Sequence, residues 1–411
     1  MSLSALAPFR QKTKNILFIS WDSSNSNYME NLFFPIFAKI QDSTSYRIII
    51  LQFSWASPTE KKRIQQLATT KGLHYYHQPV MRRGPLGLAY SLWRGIQKIK
   101  SILQDHSIQI VIPRSTNPAI MVNRLGRYLR QRGVNILFDA DGLPIQERID
   151  FLGRDPNGLV IKWLKKHENW CLATADQVLT RSKKSVDIHL QASPNLKREK
   201  FAVVSNGRDP AHFQIDHKKR LAIRTEFGLA MDDVLWVYAG ALGPAHELKN
   251  MVNLFLAYKE LRPSSLFLLL TRDIHFLRLE LGDKLPHGIR LMETPFENIP
   301  GYLSAADLGI SLRKPAKSLA GLAPIKVGEY LMMGMPIISS AGIGDTEEVL
   351  AGKPFAFLYE KGITEMNVLA KWVDDASKMD KTQIRNFGIE HFGIQKSVNE
   401  YVSALDGIAS A

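Results

Sequence analysis

Two charged residues one helical turn apart, Lys326 and Glu329, are the clearest candidates for chemistry in this chain. They lie in segment 323–340, which has the pattern of a helix followed at once by a buried strand. Lys326 falls in the first helical turn, where the helix dipole disfavours a cation unless an anion is close by. A helix N-terminus is a natural phosphate site, and Glu329 lies on the same helix face. The pair predicts a ligand with phosphates and hydroxyls, such as a nucleotide; the alternative is an exposed i,i+3 ion pair.

The ends of this predicted helix are marked by two residues. Pro324 is typical of the first helical position, where no backbone N–H is needed. Gly334 is typical of the left-handed position just after a helix, and Ile337 and Ile338 then begin a short buried strand. The sequence therefore places Lys326 at the N-terminus of a short helix.

The length and composition indicate a globular protein of two domains. A chain of 411 residues is too long for one typical core, and 45% hydrophobic with 22% charged residues is ordinary globular composition. Cys171 is the single cysteine, so no internal disulfide can form, which fits a reducing compartment. The N-terminal residues lack the pattern of a signal peptide, and no apolar run approaches the roughly 20 residues of a membrane span. We therefore expect a cytoplasmic protein.

The formal net charge of +14 favours an anionic partner. Phosphates, a membrane surface and nucleic acid all remain open, because net charge alone does not choose among them.

Short apolar segments alternate with longer amphipathic ones from residue 15 onward. Strands are predicted at 15–20, 46–53, 73–76, 108–112, 134–139, 177–180 and 201–205, and in the second half at 234–239, 266–271, 289–292, 307–312, 337–340 and 355–359. Strands that alternate with helices imply parallel βαβ units in doubly wound sheets. Between the halves, the turn cluster and the basic stretch of segment 206–220 predict an interdomain linker.

Ligands of open α/β sheets bind outside the carboxyl ends of the strands. This rule puts five segments at sheet edges: 21–27, 139–142, 240–250, 294–296 and 313–324. Two such edges that face each other form an interdomain cleft, a frequent ligand location.

Four segments form an ordered set of motifs. Segment 206–213 reads N-G-R-D-P-A-H-F, segment 238–242 reads Y-A-G-A-L, segment 305–310 reads A-A-D-L-G-I, and segment 324–336 contains P-I-K-V-G-E-Y-L and ends on a proline. The set resembles the motifs of the retaining glycosyltransferases of family 4, which have the GT-B fold. The resemblance covers most of the second half, whereas the first half matches in pattern more than in residues.

The resemblance implies an α/β protein with two Rossmann-like, doubly wound parallel-sheet domains that face each other across a cleft. Residues 1–210 would form the N-terminal acceptor-binding domain, and residues 211–390 the domain that binds a nucleotide-diphospho-sugar. Residues 391–411 would form a C-terminal helix that crosses back to the first domain.

The resemblance also implies roles for individual residues. Glu329 would bind the ribose hydroxyls, Lys326 would lie near the diphosphate, and Thr294 and Phe296 would line the base. Asp141, in a D-x-x-G turn, would hold an acceptor hydroxyl, although a structural turn aspartate is the alternative. The candidate catalytic residues are thus Lys326 and Asp141. The candidate donor-binding residues are Glu329, Gly240, Lys249, Thr294, Phe296, Ser318, Gly321 and Ile325.

No metal or other cofactor is expected, because basic side chains and a helix N-terminus carry the charge of the leaving diphosphate in this fold. Retention there is often explained by front-face attack, in which the leaving phosphate takes the acceptor proton.

The sequence departs from the family pattern at three positions. The first Glu of the family's E-x(7)-E falls on Gly321, the donor-loop Arg on Ala241, and the following Lys on His246. The nearby cations that could take their place are Lys249, Lys317 and Arg313.

The function implied is transfer of a hexosyl or similar sugar from a donor of the UDP or GDP type to a glycan, lipid-linked or polysaccharide acceptor. The alternatives are a degenerate, non-catalytic GT-B scaffold that binds an anionic surface or nucleic acid, and a nucleotide-sugar epimerase. The sequence carries no recognised nucleic-acid motif, so nucleic acid is not an expected partner.

Segment 82–106, from Arg82 to His106, combines basic residues with apolar ones that include Trp93. A basic, Trp-containing amphipathic helix can lie on an anionic membrane surface, which would make the protein peripheral on the inner face of the membrane. The alternative is an ordinary domain helix whose apolar face belongs to the core.

Overall fold

Two parallel sheets organise the chain in a computed structural model that describes residues 13–23, 27–81, 84–362 and 365–409. Parts of three predicted segments lie outside the described residues: residues 24–26 of the sheet-edge segment 21–27, Arg82 and Arg83 of the membrane segment, and the last two residues of the C-terminal helix. The predicted α/β class with two doubly wound parallel sheets is confirmed.

The first sheet has seven strands in the order β3-β2-β1-β4-β5-β6-β7. The strands are β1 (Lys14–Trp21), β2 (Tyr46–Ser54), β3 (His74–Pro79), β4 (Ile108–Pro113), β5 (Asn135–Asp139), β6 (Gln177–Thr180) and β7 (Phe201–Val203). Its helices are α1 (Phe34–Ser43), α2 (Pro58–Thr70), α3 (Gly84–Asp105), α4 (Thr116–Gln131), α5 (Pro144–Leu152), α6 (Leu159–Thr174) and α7 (Lys183–Ala192). The central strands are continuous apolar runs because helices cover both faces of the sheet.

The second sheet has six strands in the order β10-β9-β8-β11-β12-β13. The strands are β8 (Leu235–Ala239), β9 (Leu266–Leu270), β10 (Ile289–Met292), β11 (Leu308–Ser311), β12 (Ile337–Ser340) and β13 (Ala356–Tyr359). Its helices are α8 (His217–Phe227), α9 (Leu248–Leu261), α10 (Ile274–Leu281), α11 (Ile299–Ala305), α12 (Ile325–Met332), α13 (Thr346–Leu350), α14 (Met366–Ala376) and α15 (Lys381–Phe392).

The strand order reverses at the centre of each sheet, between β1 and β4 and between β8 and β11. Ligands of doubly wound sheets bind at this switch point, in the crevice beyond the strand ends. In the second sheet the crevice is bounded by the loops that follow Ala239 and Ser311.

The last helix, α16 (Ile394–Ala409), packs against α1 and the first sheet rather than against the sheet that precedes it. The chain therefore crosses between the sheets twice. The crossings lie side by side: the Arg208 N–H donates to the Phe392 carbonyl at 2.9 Å, and the Ile394 N–H donates to the Arg208 carbonyl at 2.8 Å.

Two local predictions are wrong. The linker predicted over 206–220 is partly helical, because α8 begins at His217, where the Asp216 carboxylate caps it by accepting from the Lys219 N–H at 3.0 Å. Helix α12 begins at Ile325, so Pro324 is the residue before the helix and not its first residue. In addition, α5 has no counterpart among the predicted elements.

Candidate functional site

Helix α12 presents its N-terminus at the switch point of the second sheet. At its other end Gly334 has a φ of +68°, and the Met335 N–H closes the helix by donating to the Tyr330 carbonyl at 3.0 Å. The predicted left-handed Gly334 is thus confirmed. No side chain in the described part of the chain caps the N-terminus, so its backbone N–H groups are open to a ligand or water.

The Lys326 side chain lies across the backbone of Gly240, in the loop after β8. A Cβ on Gly240 would stand 2.6 Å from Lys326 Cε and 3.0 Å from its Nζ, and Gly240 has a φ of +131°. Lys326 Nζ lies 5.1 Å from the centre of the buried Tyr238 ring. The structure therefore brings together two of the predicted residues, Lys326 and Gly240, because only glycine leaves room for the lysine.

Arg313 stands beside them on the loop after β11. The loops after β8 and β11 pair antiparallel through His246 and Arg313, and the Lys314 N–H donates to the Ala245 carbonyl at 3.0 Å. The Ser340 hydroxyl accepts from the Arg313 N–H at 2.8 Å and so fixes the backbone there. A cation thus stands close to the positions where the family pattern has its donor-loop Arg and Lys.

The electrostatics of this corner are strongly positive. Burial and the nearby Arg313 guanidinium lower the pKa of the Lys326 ammonium to about 8. Burial, Arg313 and Lys326 together lower the pKa of His246 to about 2, so this imidazole is neutral at physiological pH. Within the described part of the chain, neither Lys326 nor Arg313 forms an ion pair with a carboxylate. Glu329 and Asp273 raise the pKa of Lys326 but do not offset burial and Arg313, so the corner is suited to an anion.

Glu329 is buried and paired with Arg208, whose Nε donates to Glu329 Oε1 at 2.8 Å. The alternative of an exposed pair between Lys326 and Glu329 is therefore wrong. The Arg208 guanidinium also donates to the Asn31 carbonyl of the first domain. One arginine at the domain crossing thus joins Glu329 of the second domain to the first.

Phe296 lies beside Arg208. Its ring stacks on His212 with centroids 4.5 Å apart, and the Arg208 guanidinium lies 5.5 Å from its centre. Thr294 is partly exposed, two residues before Phe296 at the carboxyl end of β10. The structure therefore groups Phe296, Arg208 and Glu329, with an aromatic face beside a carboxylate.

Gly321 lies at a backbone contact between the domains. A Cβ on Gly321 would stand 2.8 Å from the Leu143 backbone nitrogen, and a Cβ on Gly142 would stand 2.6 Å from the Gly321 carbonyl oxygen. Ser318, on the same turn, donates its N–H to Asp150 of α5 at 2.8 Å. The missing first glutamate of the family pattern thus coincides with a position that has no space for a side chain.

Two other predicted residues lie apart from this group. Lys249 is exposed at the start of α9, with its Nζ 3.6 Å from a Glu280 carboxylate oxygen. Ile325 packs against the hydrophobic core of the first sheet. The structure does not bring either side chain into a contact with Lys326 or Arg313.

Asp141 belongs to an ion network at the carboxyl edge of the first sheet. It has a φ of +63° and accepts from Arg114 at 2.6 Å, while Arg181 Nε lies 3.3 Å from its other oxygen. Burial opposes its ionisation, but the Arg114 and Arg181 guanidinium groups outweigh burial and hold the pKa of Asp141 below its usual value. Arg181 also binds the fully buried Asp139 at 2.6 Å. Asp141 is therefore a fixed anion, suited to accept a hydrogen bond rather than to give up a proton.

The sequence reasoning missed Arg114, Arg181 and Arg208. Arg208 stands inside the N-G-R-D motif, and its place between the two domains was the available signal. Arg114 and Arg181 directly follow the strand ends of β4 and β6, so the rule for sheet edges could have found them.

No helix among the described residues is long and apolar enough to cross a membrane. No group of three or more His, Cys, Asp or Glu residues in the same ranges is arranged to hold a metal ion.

Comparison with known proteins gives similarity in structure alone. No protein-family model matches the chain, and no curated protein matches its sequence. Anabaena HepE, solved with UDP and glucose, shares 14% identity at a TM-score of 0.69 and covers 96% of this chain and 100% of its own. The sucrose-phosphate synthase of Thermosynechococcus elongatus shares 14% identity at a TM-score of 0.66, with 97% and 99% covered.

A UDP-GlcNAc 2-epimerase from Neisseria meningitidis, solved with UDP-GlcNAc, also resembles the chain. It shares 12% identity at a TM-score of 0.57, with 95% of this chain and 99% of its own covered. At such identities the likeness concerns the fold. The chain has two Rossmann-like sheets that face each other, and the solved structures that resemble it match over nearly their whole length. These observations show that this chain has the GT-B fold.

Proposed function

We propose that the protein is a glycosyltransferase that uses a nucleotide-diphospho-sugar of the UDP or GDP type. The observation that carries the proposal is the cation pair Lys326 and Arg313, which lies beside the uncapped N-terminus of α12 and has no carboxylate partner among the described residues. A diphosphate supplies the charge that this corner lacks. HepE, the structural neighbour solved with UDP and glucose, supports this choice of ligand.

Each group at the site has a role in the proposed reaction. Lys326, Arg313 and the N–H groups of α12 stabilise the negative charge that develops on the leaving diphosphate. Glu329 binds the ribose hydroxyls, and Phe296 and Thr294 border the base. In this proposal the diphosphate needs no metal ion, because the side chains and the helix carry its charge.

The sugar is transferred with retention in this proposal. The bond between the anomeric carbon and the diphosphate oxygen breaks, the acceptor oxygen bonds to that carbon on the same face, and the acceptor proton passes to the leaving diphosphate. Asp141 does not act as the base, because its two arginine partners keep its pKa low. It holds an acceptor hydroxyl at the facing edge of the first sheet. The acceptor is a glycan, a polysaccharide or a lipid-linked sugar.

Membrane contact belongs to the proposal as well. Helix α3 buries Ile99 and Ile102 in the core, as the core alternative predicted, yet Trp93 of the same helix is 55% exposed. Helices α3 and α6 both pack against α4, and α6 adds Trp163 and the 85% exposed Leu159 to the exposed apolar groups. Basic side chains accompany them on both helices. We propose that α3 and α6 hold a cytoplasmic protein peripherally on an anionic membrane.

The test of the donor site is calorimetric titration with UDP, GDP, ADP and CMP. We expect one nucleotide to bind, and Lys326→Ala and Glu329→Gln to weaken that binding by about tenfold or more. The first removes a charge at the diphosphate, and the second replaces one of the two carboxylate oxygens that accept from the ribose hydroxyls. Glu329→Gln is preferred to Glu329→Ala, because it leaves a side-chain acceptor for Arg208. Lys249→Ala is the matched control and should bind as the wild type does. Unchanged binding by the Lys326 and Glu329 variants would remove the site assignment, and no binding of any nucleotide would favour a non-catalytic scaffold.

An epimerase is the second candidate, because an epimerase is among the structures that share the fold. It would convert a nucleotide-sugar without an acceptor. Incubation of the protein with UDP-GlcNAc alone, followed by proton NMR of the sugar, separates the two: a new epimer supports the epimerase, and an unchanged donor supports transfer.

A further inference from the structure

A cavity of about 760 Å³ opens between the two domains, outside the group formed by Lys326, Glu329 and Phe296. The first domain lines it with α5 and with Lys165 of α6, and the second domain lines it with Pro244 and residues 314–317. Pro244 precedes His246 by two residues, and Lys314 directly follows Arg313. The cavity therefore borders the two loops that would hold the donor diphosphate.

The charges around this cavity are unbalanced. Three lysines line it, Lys165, Lys314 and Lys317, and none of them forms an ion pair with a carboxylate in the described ranges. Asp150 is the one carboxylate in the lining. Both of its oxygens are already used, since one accepts from Gln146 Nε2 at 2.8 Å and the other from the Ser318 N–H at 2.8 Å. Burial opposes the ionisation of Asp150, but its hydrogen bonds and Lys317 hold its pKa below the usual value. One carboxylate thus faces three ammonium groups, and the lining keeps a net positive charge for an anionic ligand.

The rest of the lining is largely apolar. Ile149 and Phe151 of α5 and Pro315 of the opposite loop supply carbon surface beside the lysines. Leu152, next to Phe151, is 61% exposed. A ligand that carries a phosphate and an apolar chain would find a partner for each part.

We propose that this interdomain lysine cavity binds the phosphate group of the acceptor substrate. Lys314 and Lys317 of the second domain and Lys165 of the first contact the phosphate, and the apolar wall takes the chain attached to it. The site is assembled from both domains, so it places the acceptor next to the donor only when the two face each other as they do here. The inference rests on the proposed glycosyl transfer and names its acceptor class.

The phosphate could belong to a lipid or to a soluble sugar phosphate, and three probes distinguish these sources. Farnesyl monophosphate carries phosphate and an apolar chain, farnesol carries the chain alone, and glucose 6-phosphate carries phosphate alone. Each is titrated into the full chain saturated with UDP. We expect farnesyl monophosphate to bind at least about tenfold more tightly than either of the others. It alone contacts both the lysines, through its phosphate, and the apolar lining residues, through its hydrocarbon chain. Equal binding of glucose 6-phosphate would keep the phosphate site and assign it to a soluble acceptor.

Charge reversal tests the lysines directly. Lys314→Glu with Lys317→Glu, and separately Lys165→Glu from the other domain, should each weaken the binding of farnesyl monophosphate by about tenfold or more. Lys165→Glu, which changes a residue of the first domain, should also leave UDP affinity within about threefold. The control Lys284→Glu with Lys371→Glu makes the same change of net charge at exposed lysines that do not line the cavity, and it should bind both ligands as the wild type does.

The outcomes separate the inference from the proposed function. If the wild type binds UDP but neither phosphate probe, or if the charge-reversal variants bind the probes as the wild type does, the inference alone is overturned. If the wild type binds no nucleotide at all, the proposed function fails, and the acceptor assignment fails with it.

Discussion

The protonation of Lys326 controls how strongly the site attracts a diphosphate. With a pKa of about 8, the ammonium is charged at neutral pH and becomes neutral within the range that a titration can reach. A bound diphosphate stabilises the ammonium, so the pKa of Lys326 is higher in the complex than in the free protein. Between these two values binding takes up a proton, and affinity falls as pH rises.

We therefore expect UDP-glucose affinity to be level from pH 6 to 7.5 and to fall above pH 8 by up to about tenfold per pH unit. UDP-glucose is used because its diphosphate does not titrate near neutral pH. Lys326→Met should bind weakly and remove the decline. A decline that persists in Lys326→Met would assign the pH dependence to another group.

Arg313 is the residue that we expect to replace the donor-loop cations of the family pattern. It adjoins His246 and lacks a carboxylate partner in the described part of the chain, whereas Lys249 already has Glu280 3.6 Å away. Arg313→Ala should weaken the binding of UDP by about tenfold or more, since a charge-assisted contact to phosphate is lost. Lys249→Ala is the control and should change UDP affinity by less than about twofold. The reverse order of effects, measured by calorimetry, would assign the role to Lys249.

At the scale of elements, the loop after β8 and helix α12 depend on each other. Gly240 touches the Lys326 side chain, while Gly243 of the same loop has open space where a Cβ would be. Because Lys326 has to move if residue 240 gains a side chain, a mutation in the loop is expected to act on ligand binding through the helix.

Gly240→Ala should thus lower UDP affinity by about tenfold and destabilise the fold by about 1–3 kcal/mol, through overpacking and the positive φ. Gly243→Ala is the matched control and should leave both quantities close to wild type. Thermal unfolding and calorimetry on the two variants measure the effects. Unchanged UDP affinity in Gly240→Ala would show that the position of Lys326 does not govern binding.

At the scale of the whole molecule, the two domains meet through a small set of specific contacts. Arg208 joins Glu329 to the first domain, and Gly142 and Gly321 touch at their backbones. If Glu329 exchanges Arg208 for ribose hydroxyls, donor binding and the domain contact are coupled through this one arginine. The same arrangement positions the lysine cavity, which needs side chains from both domains.

The proposed membrane surface is also a property of the whole molecule, because α3 and α6 are far apart in sequence. Trp93→Ala with Trp163→Ala should weaken binding to vesicles of phosphatidylglycerol and phosphatidylcholine by about tenfold, and wild-type binding should fall with added salt. The control Leu279→Ala with Val368→Ala removes exposed apolar groups of the second domain. Sedimentation of the protein with vesicles measures both. Equal loss in the control would contradict a specific surface on the first domain.

Local pattern was enough to predict most of the elements. Strands buried on both faces are continuous apolar runs, so composition is enough to predict β9 and β12. Helix α8 was mistaken for linker because its polar face dominates its sequence. Helix α5 begins just after the turn at residues 139–142, at the edge of the first sheet, and it is absent from the predicted elements.

The sequence by itself determined the fold class, the C-terminal end of the helix that carries Lys326, and the edges of the sheets where a ligand would lie. These follow from periodicity and from glycine and proline chemistry, which act between near neighbours in the chain. Only the tertiary structure decided that Glu329 pairs with Arg208, that Lys326 crosses Gly240, and that Gly321 has no room for a side chain. Each of these contacts joins residues that are distant in sequence, so only the packing of the two domains could reveal them.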